Sequence, residues 1–274
     1  MKKYKLTNET IVHFGFTLYR IEALMDFSDV KTGDKGGFVQ SENNLSQLGN
    51  AWVYGNAKVY GNAKVYDNAE VYGDAEVYDN AFVCGYAKVY GDAEVYDNAV
   101  VYGNAKVCGN ASVYGNADVF DNAEVYDNAK VYGNAKVGGD AEGYDNAFVC
   151  GDAEVYDNSE VCGNAEVCGN AGVYGNAFVC DYVKVRDADV YGKAEVRGDA
   201  KVYKNSDYIV FKNWWSSGRY FTWTRSNKMW KVGCFYGNGE ELIKKAYADS
   251  EESGREYERV VKYVESILAD ELNK

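Results

Sequence analysis

The side chains with the most reactive chemistry are few in this sequence of 274 residues. There is one histidine, His13, and there are seven cysteines. A single imidazole excludes sites that need two or three of them, such as a tris-histidine zinc centre. The cysteines form no Cys-x-x-Cys pair, which most zinc and dithiol sites contain. The sequence therefore predicts no catalytic residue, no metal site and no cofactor.

Carboxylates are the abundant reactive group, with 42 acidic residues against 29 basic ones and a net charge of −13. Residues 49–203 carry 25 of these acids and only 11 basic side chains, a net charge of −14. The whole charge imbalance thus belongs to one segment. A strongly negative surface favours positively charged partners.

That segment consists of a six-residue repeat. From Gly49 to Tyr203 the pattern Gly/Asp, Asn/Asp, Ala, x, Val, Tyr occurs in 26 units, one of which, Asp187–Tyr191, is a residue short. Ala-x-Val predicts a short strand with Ala and Val on one face. The Gly/Asp-Asn/Asp pair predicts a corner in which Asn or Asp takes a positive φ. Such strands bury their valines by stacking, so the repeat predicts a parallel β-solenoid.

The stretch Val53–Lys58, Val-Tyr-Gly-Asn-Ala-Lys, resembles the hexapeptide-repeat family. The resemblance implies a mainly β fold, a left-handed parallel β-helix of about nine coils with three hexads per coil. We expect an N-terminal β cap over residues 1–48, the β-helix over 49–203, and a C-terminal β/α element of aromatic and basic strands plus an amphipathic helix over 204–274.

The resemblance also implies an activity to be tested, because family members include acyltransferases and zinc-dependent carbonic anhydrases that use histidines of the solenoid. Residues 49–203 contain no histidine. The sequence therefore predicts a non-enzymatic scaffold or binding protein. A hexapeptide acyltransferase-like enzyme is a distant alternative.

Three hexads per coil place residues 18 apart in one column, and the columns concentrate the acids. One predicted acidic face combines a glutamate column with flanking aspartates: Asp121, Glu124, Asp140, Glu142, Asp157 and Glu160. A second patch comprises Asp74, Glu76, Asp92 and Glu94. These faces are interpreted either as solvated surface or as a site for a basic, nucleic-acid-binding host protein. In the second case the protein would inhibit a nucleic-acid-processing or defence enzyme by mimicking its substrate.

Aromatic and apolar side chains form further columns. A tyrosine column is predicted along Tyr60, Tyr78, Tyr96, Tyr114 and Tyr132. Apolar residues at outward positions predict contact patches, chiefly the stacked pair Phe82 and Val100, with Trp52, Phe148 and Phe178 as others. We expect a homo-oligomer, and the family resemblance favours a trimer.

Two cysteine pairs also fall 18 residues apart, Cys150 with Cys168 and Cys162 with Cys180. The coil spacing of about 4.8 Å would permit disulfides. The sequence favours the alternative that cysteine replaces tyrosine at the corner of a protein in a reducing cytosol.

The C-terminal segment has the opposite charge. Lys212, Arg219, Arg225, Lys228 and Lys231 alternate there with aromatic residues, and no acid lies between Asp207 and Glu240. This composition favours docking on the acidic rod over binding of single-stranded nucleic acid. A final helix, capped by Ser250 or Ser253, is predicted to pack its apolar stripe on the last coil rather than on a partner; the stripe is Tyr257, Val261, Val264, Leu268 and Leu272.

Both ends resemble hexapeptide-repeat proteins of phages and prophages, in the stretches Gly36–Val39, Ser41–Ser46 and Gly233–Gly237. This resemblance implies a bacterial host cell but no biochemical role. No stretch of 18 apolar residues and no secretory h-region occurs. We therefore expect a cytoplasmic protein with no membrane contact.

Overall fold

The repeat forms a stack of very short strands. The structure, a computed structural model, describes residues 2–215 and 218–272. Within these ranges the repeat supplies 26 strands of two or three residues. They are β4 (Trp52–Val53), β5 (Lys58–Val59), β6 (Lys64–Val65), β7 (Glu70–Val71), β8 (Glu76–Val77), β9 (Phe82–Val83), β10 (Lys88–Val89), β11 (Glu94–Val95), β12 (Val100–Val101), β13 (Lys106–Val107), β14 (Ser112–Val113), β15 (Asp118–Val119), β16 (Glu124–Val125), β17 (Lys130–Val131), β18 (Lys136–Val137), β19 (Glu142–Gly143), β20 (Phe148–Val149), β21 (Glu154–Val155), β22 (Glu160–Val161), β23 (Glu166–Cys168), β24 (Gly172–Val173), β25 (Phe178–Val179), β26 (Lys184–Arg186), β27 (Asp189–Val190), β28 (Glu195–Val196) and β29 (Lys201–Val202).

Every third strand belongs to the same parallel sheet, which gives the rod three faces. Face 1 runs from β5 to β29, face 2 from β4 to β28, and face 3 from β6 to β27. The register is 18 residues, so that Val59 pairs with Val77 and Val77 with Val95. The repeat alanines and valines are buried in one continuous core. Each fully buried valine stabilises the fold by about 1.5 kcal/mol or more. The predicted parallel β-solenoid of about nine coils is confirmed.

The corners differ from the expectation in one respect. The positive φ belongs to the first turn residue, which is Gly or Asp, for example 58° at Asp97 and 74° at Gly115. None of the described asparagines has a positive φ, so the expectation for asparagine was wrong. The aspartate adds a bond that Gly cannot make, since Asp97 Oδ2 accepts from the backbone N–H of Gly115 on the next coil at 3.1 Å.

Asparagine instead forms ladders along the corners. Each side-chain amide donates Nδ2–H to Oδ1 of the asparagine on the next coil, as from Asn80 to Asn98 at 3.2 Å and from Asn98 to Asn116 at 3.1 Å. Because all members have the same orientation, each amide both donates and accepts. Tyr86 interrupts a second ladder between Asn68 and Asn104.

The backbone hydrogen bonds give the rod a direction. The N–H of Lys58 donates to the carbonyl of Ala75 on the next coil at 2.9 Å, and the same direction holds along the stack. The first coil therefore presents carbonyl oxygens, and side-chain donors cover them. Lys3 Nζ lies 2.7 Å from the oxygen of Ala51, and Asn44 Nδ2 lies 3.0 Å from that of Ala63. Burial lowers the pKa of Lys3 to about 8.

Three longer strands precede the repeat: β1 (Tyr4–His13), β2 (Phe16–Ala23) and β3 (Lys35–Val39), followed by a 3-10 turn, Glu42–Asn44. β1 and β2 form an antiparallel hairpin that extends face 1. β3 already pairs in parallel with β5, so the coils begin before Gly49. Trp52 is only 1% exposed, beneath Tyr4 and Phe27. The prediction that Trp52 forms an exposed contact patch was wrong.

The C-terminal segment covers the other end. After a 3-10 turn, Asn205–Asp207, an antiparallel sheet contains β30 (Tyr208–Lys212), β31 (Tyr220–Thr224), β32 (Met229–Val232) and β33 (Phe235–Gly237). The last coil presents N–H groups, and side-chain oxygens accept from them. Thr222 Oγ1 accepts from Glu195 N at 2.9 Å, and Ser226 Oγ accepts from Lys201 N at 2.6 Å. The segment thus docks on its own rod, as expected.

Two helices, α1 (Gly239–Asp249) and α2 (Glu251–Leu272), complete the chain. Ser250 caps α2, accepting from the N–H of Ser253 at 3.1 Å. Val261 and Val264 of the apolar stripe are buried against the sheet β30–β33. The expected packing of the stripe on the last coil was wrong, because the sheet lies between them. The side chain of Leu272 is outside the described set, and none of the described helices is long and apolar enough to cross a bilayer.

Candidate functional site

The predicted glutamate column lies on face 2. Glu124 pairs with Glu142 on the next strand, and Glu142 pairs with Glu160. All three side chains are partly exposed. The solenoid register therefore brings these carboxylates into one row at successive coils, as the spacing predicted.

The three carboxylates differ in their partners. Glu124 forms an ion pair with Lys106, whose Nζ lies 2.6 Å from Glu124 Oε1. The hydroxyl of Tyr126 donates to Glu142 at 2.7 Å, and that of Tyr144 donates to Glu160 at 2.9 Å. Among the described residues no lysine or arginine lies within ion-pair distance of Glu142 or Glu160. These two form the uncompensated part of the column.

The tyrosines that hold Glu142 and Glu160 are themselves ordered by stacking. The rings of Tyr126 and Tyr144 are nearly parallel with centroids 5.0 Å apart. Burial, followed by the hydrogen bond to Glu160, raises the pKa of Tyr144. The phenol therefore stays protonated and remains a donor. This fixes the two carboxylates in place before any partner arrives.

The flanking aspartates lie along one edge of face 2. Asp121 and Asp157 occupy the first turn position, and Asp140 occupies the second. All three are exposed, but two carboxylates also serve the stack. Asp157 Oδ2 accepts from Gly175 N at 2.9 Å, and Asp140 Oδ1 accepts from Asn122 Nδ2 at 2.9 Å. The row therefore has two roles, one of them structural.

The second predicted patch contains a carboxylate with three partners. Glu76, beside Glu94 on face 1, lies 2.8 Å from His13 Nε2, 3.0 Å from Lys58 Nζ and 2.9 Å from the hydroxyl of Tyr60. Its side chain is only 16% exposed. Burial by itself would raise the pKa of Glu76, but the three hydrogen bonds outweigh burial and lower it.

Asp74 and Asp92 of that patch lie at exposed turn positions on successive coils, and Glu94 is exposed but accepts from the Tyr78 hydroxyl at 3.1 Å. The contact of His13 with Glu76 was missed from the sequence. No periodic signal could have found it, because the hairpin that carries His13 lies outside the repeat.

The predicted tyrosine column is confirmed. Adjacent rings from Tyr60 to Tyr132 have centroids 4.9–5.1 Å apart and interplanar angles of 1–4°. The same column continues into Cys150 and Cys168, which are bonded as a disulfide with Cα atoms 4.6 Å apart. Cys162 and Cys180 form a second disulfide at the same Cα separation. The sequence-based preference for unpaired cysteines was therefore wrong, since adjacent coils hold these Cα atoms within disulfide range.

The apolar pair lies on face 3. Val100 pairs with Phe82 on the adjacent strand, and both side chains are partly exposed. Lys64 and Asp118 lie one strand before and after them in the same column. The predicted stacking of Phe82 and Val100 is confirmed.

Comparison with known proteins adds no relative to these observations. No protein-family model matches the chain, and a search of curated proteins gives no match. The class of the protein therefore comes from its own geometry. It is a parallel β-solenoid of about nine coils, covered at one end by a hairpin and at the other by an antiparallel sheet with two helices.

Proposed function

We propose that the protein is a non-catalytic binding rod whose face 2 takes a basic patch of another protein. The observation that carries this proposal is the pair Glu142 and Glu160, which are adjacent on the stack, held by tyrosine hydroxyls and without a cation partner among the described residues. Carboxylates that are already ordered lose little freedom on binding, which favours recognition of lysine or arginine.

The length of the uncompensated row indicates the size of the partner surface. Lys106 neutralises Glu124 at one end, and Phe178 follows Glu160 at the other. The row thus spans two coils, about 5 Å between carboxylates. This length suits a cluster of a few basic side chains bordered by an apolar contact.

Inhibition by nucleic-acid mimicry is the second candidate function. The exposed Asp121 and Asp157 extend the negative edge beside the glutamates, and residues 49–203 carry a net charge of −14. A nucleic-acid-binding groove of a host enzyme would then be the basic surface. The phage or prophage origin and the cytoplasmic location stay predictions, as does the absence of catalysis, which the lack of histidine in residues 49–203 supports.

Affinity capture with matched variants tests the proposal. The intact chain, E142Q/E160Q, and a control E154Q/E166Q would be immobilised and exposed to bacterial lysate in low salt. The control also removes two negative charges, but from faces 3 and 1, where Lys136 and Lys184 compensate them. We expect E142Q/E160Q alone to lose a basic protein that the other two retain.

Duplex DNA separates the two candidates. Release of the captured protein by competing DNA supports mimicry, whereas retention supports a binding rod without mimicry. Equal capture by all three proteins would refute a role for face 2 in either function. Measurable binding of an acyl-CoA by calorimetry would contradict the non-catalytic assignment.

A further inference from the structure

Face 3 carries a short column with an unusual order of charges. The outward residues Lys64, Phe82, Val100 and Asp118 lie on the successive strands β6, β9, β12 and β15. A cation is thus followed by two apolar side chains and then by an anion. The two charges are three coils apart, about 14 Å.

Both charges lack an ion-pair partner among the described residues, although such pairs are common elsewhere on the rod. Lys64 Nζ lies over the ring of Phe82, 5.8 Å from its centroid. Asp118 is partly buried between Val100 and Lys136, and Lys136 forms its ion pair with Glu154 instead, at 3.8 Å. Burial raises the pKa of Asp118, and Lys136 opposes this only in part.

The column is complementary to its own reverse. A two-fold axis between Phe82 and Val100, parallel to the strands, exchanges Lys64 with Asp118. We propose that face 3 binds face 3 of a second copy of this chain with the two rods antiparallel. Lys64 then lies opposite Asp118 of the partner subunit, and Phe82 lies opposite the partner's Val100.

A parallel arrangement lacks this complementarity. With two rods pointing the same way in register, Lys64 would face the partner's Lys64 and Asp118 the partner's Asp118, and like charges directly opposite are destabilising. The antiparallel arrangement also buries four apolar side chains between two ion pairs. The patch is smaller than the roughly 800 Å² per partner of a standard interface, so a weak, reversible dimer is expected.

A charge swap tests the register. Sedimentation velocity over a series of concentrations would measure the dimer dissociation constant of the wild type, K64E, D118K and K64E/D118K. We expect each single substitution to weaken the dimer by at least about tenfold, since like charges would then meet twice. The double substitution exchanges both signs and should restore dimerisation to near the wild-type level.

Lys130 supplies the matched control, because its Nζ lies over Phe148 on face 1 at 6.0 Å in the same way. K130E should dimerise like the wild type. A chain that is monomeric at all concentrations, a trimer, or a double variant as weak as the single ones would each overturn the proposal. Circular dichroism confirms that every variant is folded, and the result is separable from the proposed function because Glu142 and Glu160 lie on face 2.

Discussion

His13, at the end of the first strand of the N-terminal hairpin, lies 2.8 Å through Nε2 from Oε2 of Glu76 on β8. The two residues are 63 positions apart. Lys58 and Tyr60 reach the same carboxylate from β5 and its corner. One buried carboxylate thus fastens the hairpin to face 1, and the strength of that attachment should depend on pH.

Glu76 should make stability fall in acid. Burial alone would raise its pKa, but the hydrogen bonds outweigh burial and the pKa lies below its usual value. The folded protein therefore binds this proton less tightly than the unfolded chain. The stabilisation is complete above the unfolded pKa of about 4.3 and is lost as pH falls through the lower, folded pKa. Urea denaturation between pH 7 and pH 3 should show a shallower acid decline for E76Q than for wild type. E94Q, in the neighbouring position, serves as the control, and identical profiles for wild type and E76Q would refute the prediction.

Gly143 should be a site of easy stabilisation. It replaces the repeat valine between Val125 and Val161, and a Cβ built there has no atom within 4 Å. G143A should raise the free energy of unfolding by about 1 kcal/mol, from reduced unfolded-state entropy and a buried methyl group. G139A is the opposite control, because Gly139 has a φ of +69° and its Cβ would lie 2.8 Å from Asp157 N. Thermal unfolding should move the two variants in opposite directions.

Tyr86 should weaken the stack at the corner where it interrupts an asparagine ladder. Its side chain is 63% exposed, so its removal costs little burial. Y86N would allow amide bonds to Asn68 and Asn104 and should stabilise the protein by about 1 kcal/mol. N98A removes a ladder member that bonds Asn80 and Asn116 and should destabilise by a similar amount. Denaturant midpoints measure both, and a destabilised Y86N would argue that the ladders contribute little.

The cysteines should react in two classes. Cys84, Cys108 and Cys234 are free, whereas the other four form two disulfides. Alkylation of the unfolded, unreduced protein should therefore modify three of the seven cysteines, and prior reduction should expose all of them. Reduction should also lower stability by about 3 kcal/mol per 18-residue loop in the chain-entropy model. Mass spectrometry counts the adducts; seven adducts without reductant would exclude both bonds.

The regular part of the rod was predictable because one number, 18 residues per coil, places every repeat position. The columns through Tyr60, Glu142 and Phe82 follow from that spacing alone. The corner chemistry was not predictable, because Asn and Asp both tolerate a positive φ. In the stack the aspartate takes that position and bonds the next N–H, as Asp97 does, which leaves asparagine to build ladders.

The ends were predictable only in outline. Trp52 occupies an outward repeat position, yet Tyr4 and Phe27 bury it. His13 contacts Glu76 from outside the repeat in the same way. Contacts between aperiodic segments and the rod depend on how the chain folds back, and a periodic pattern contains no information about that.

The uniform direction of the inter-coil hydrogen bonds bears on polymerisation. A stack that ends in bare carbonyls at one end and bare N–H groups at the other could grow head to tail into filaments, as cross-β fibres do. Lys3 and Asn44 occupy the carbonyl end, while Thr222 and Ser226 occupy the other. The two plugs have opposite hydrogen-bonding polarity and cannot replace each other. Chain length, rather than concentration, therefore determines how long this rod becomes.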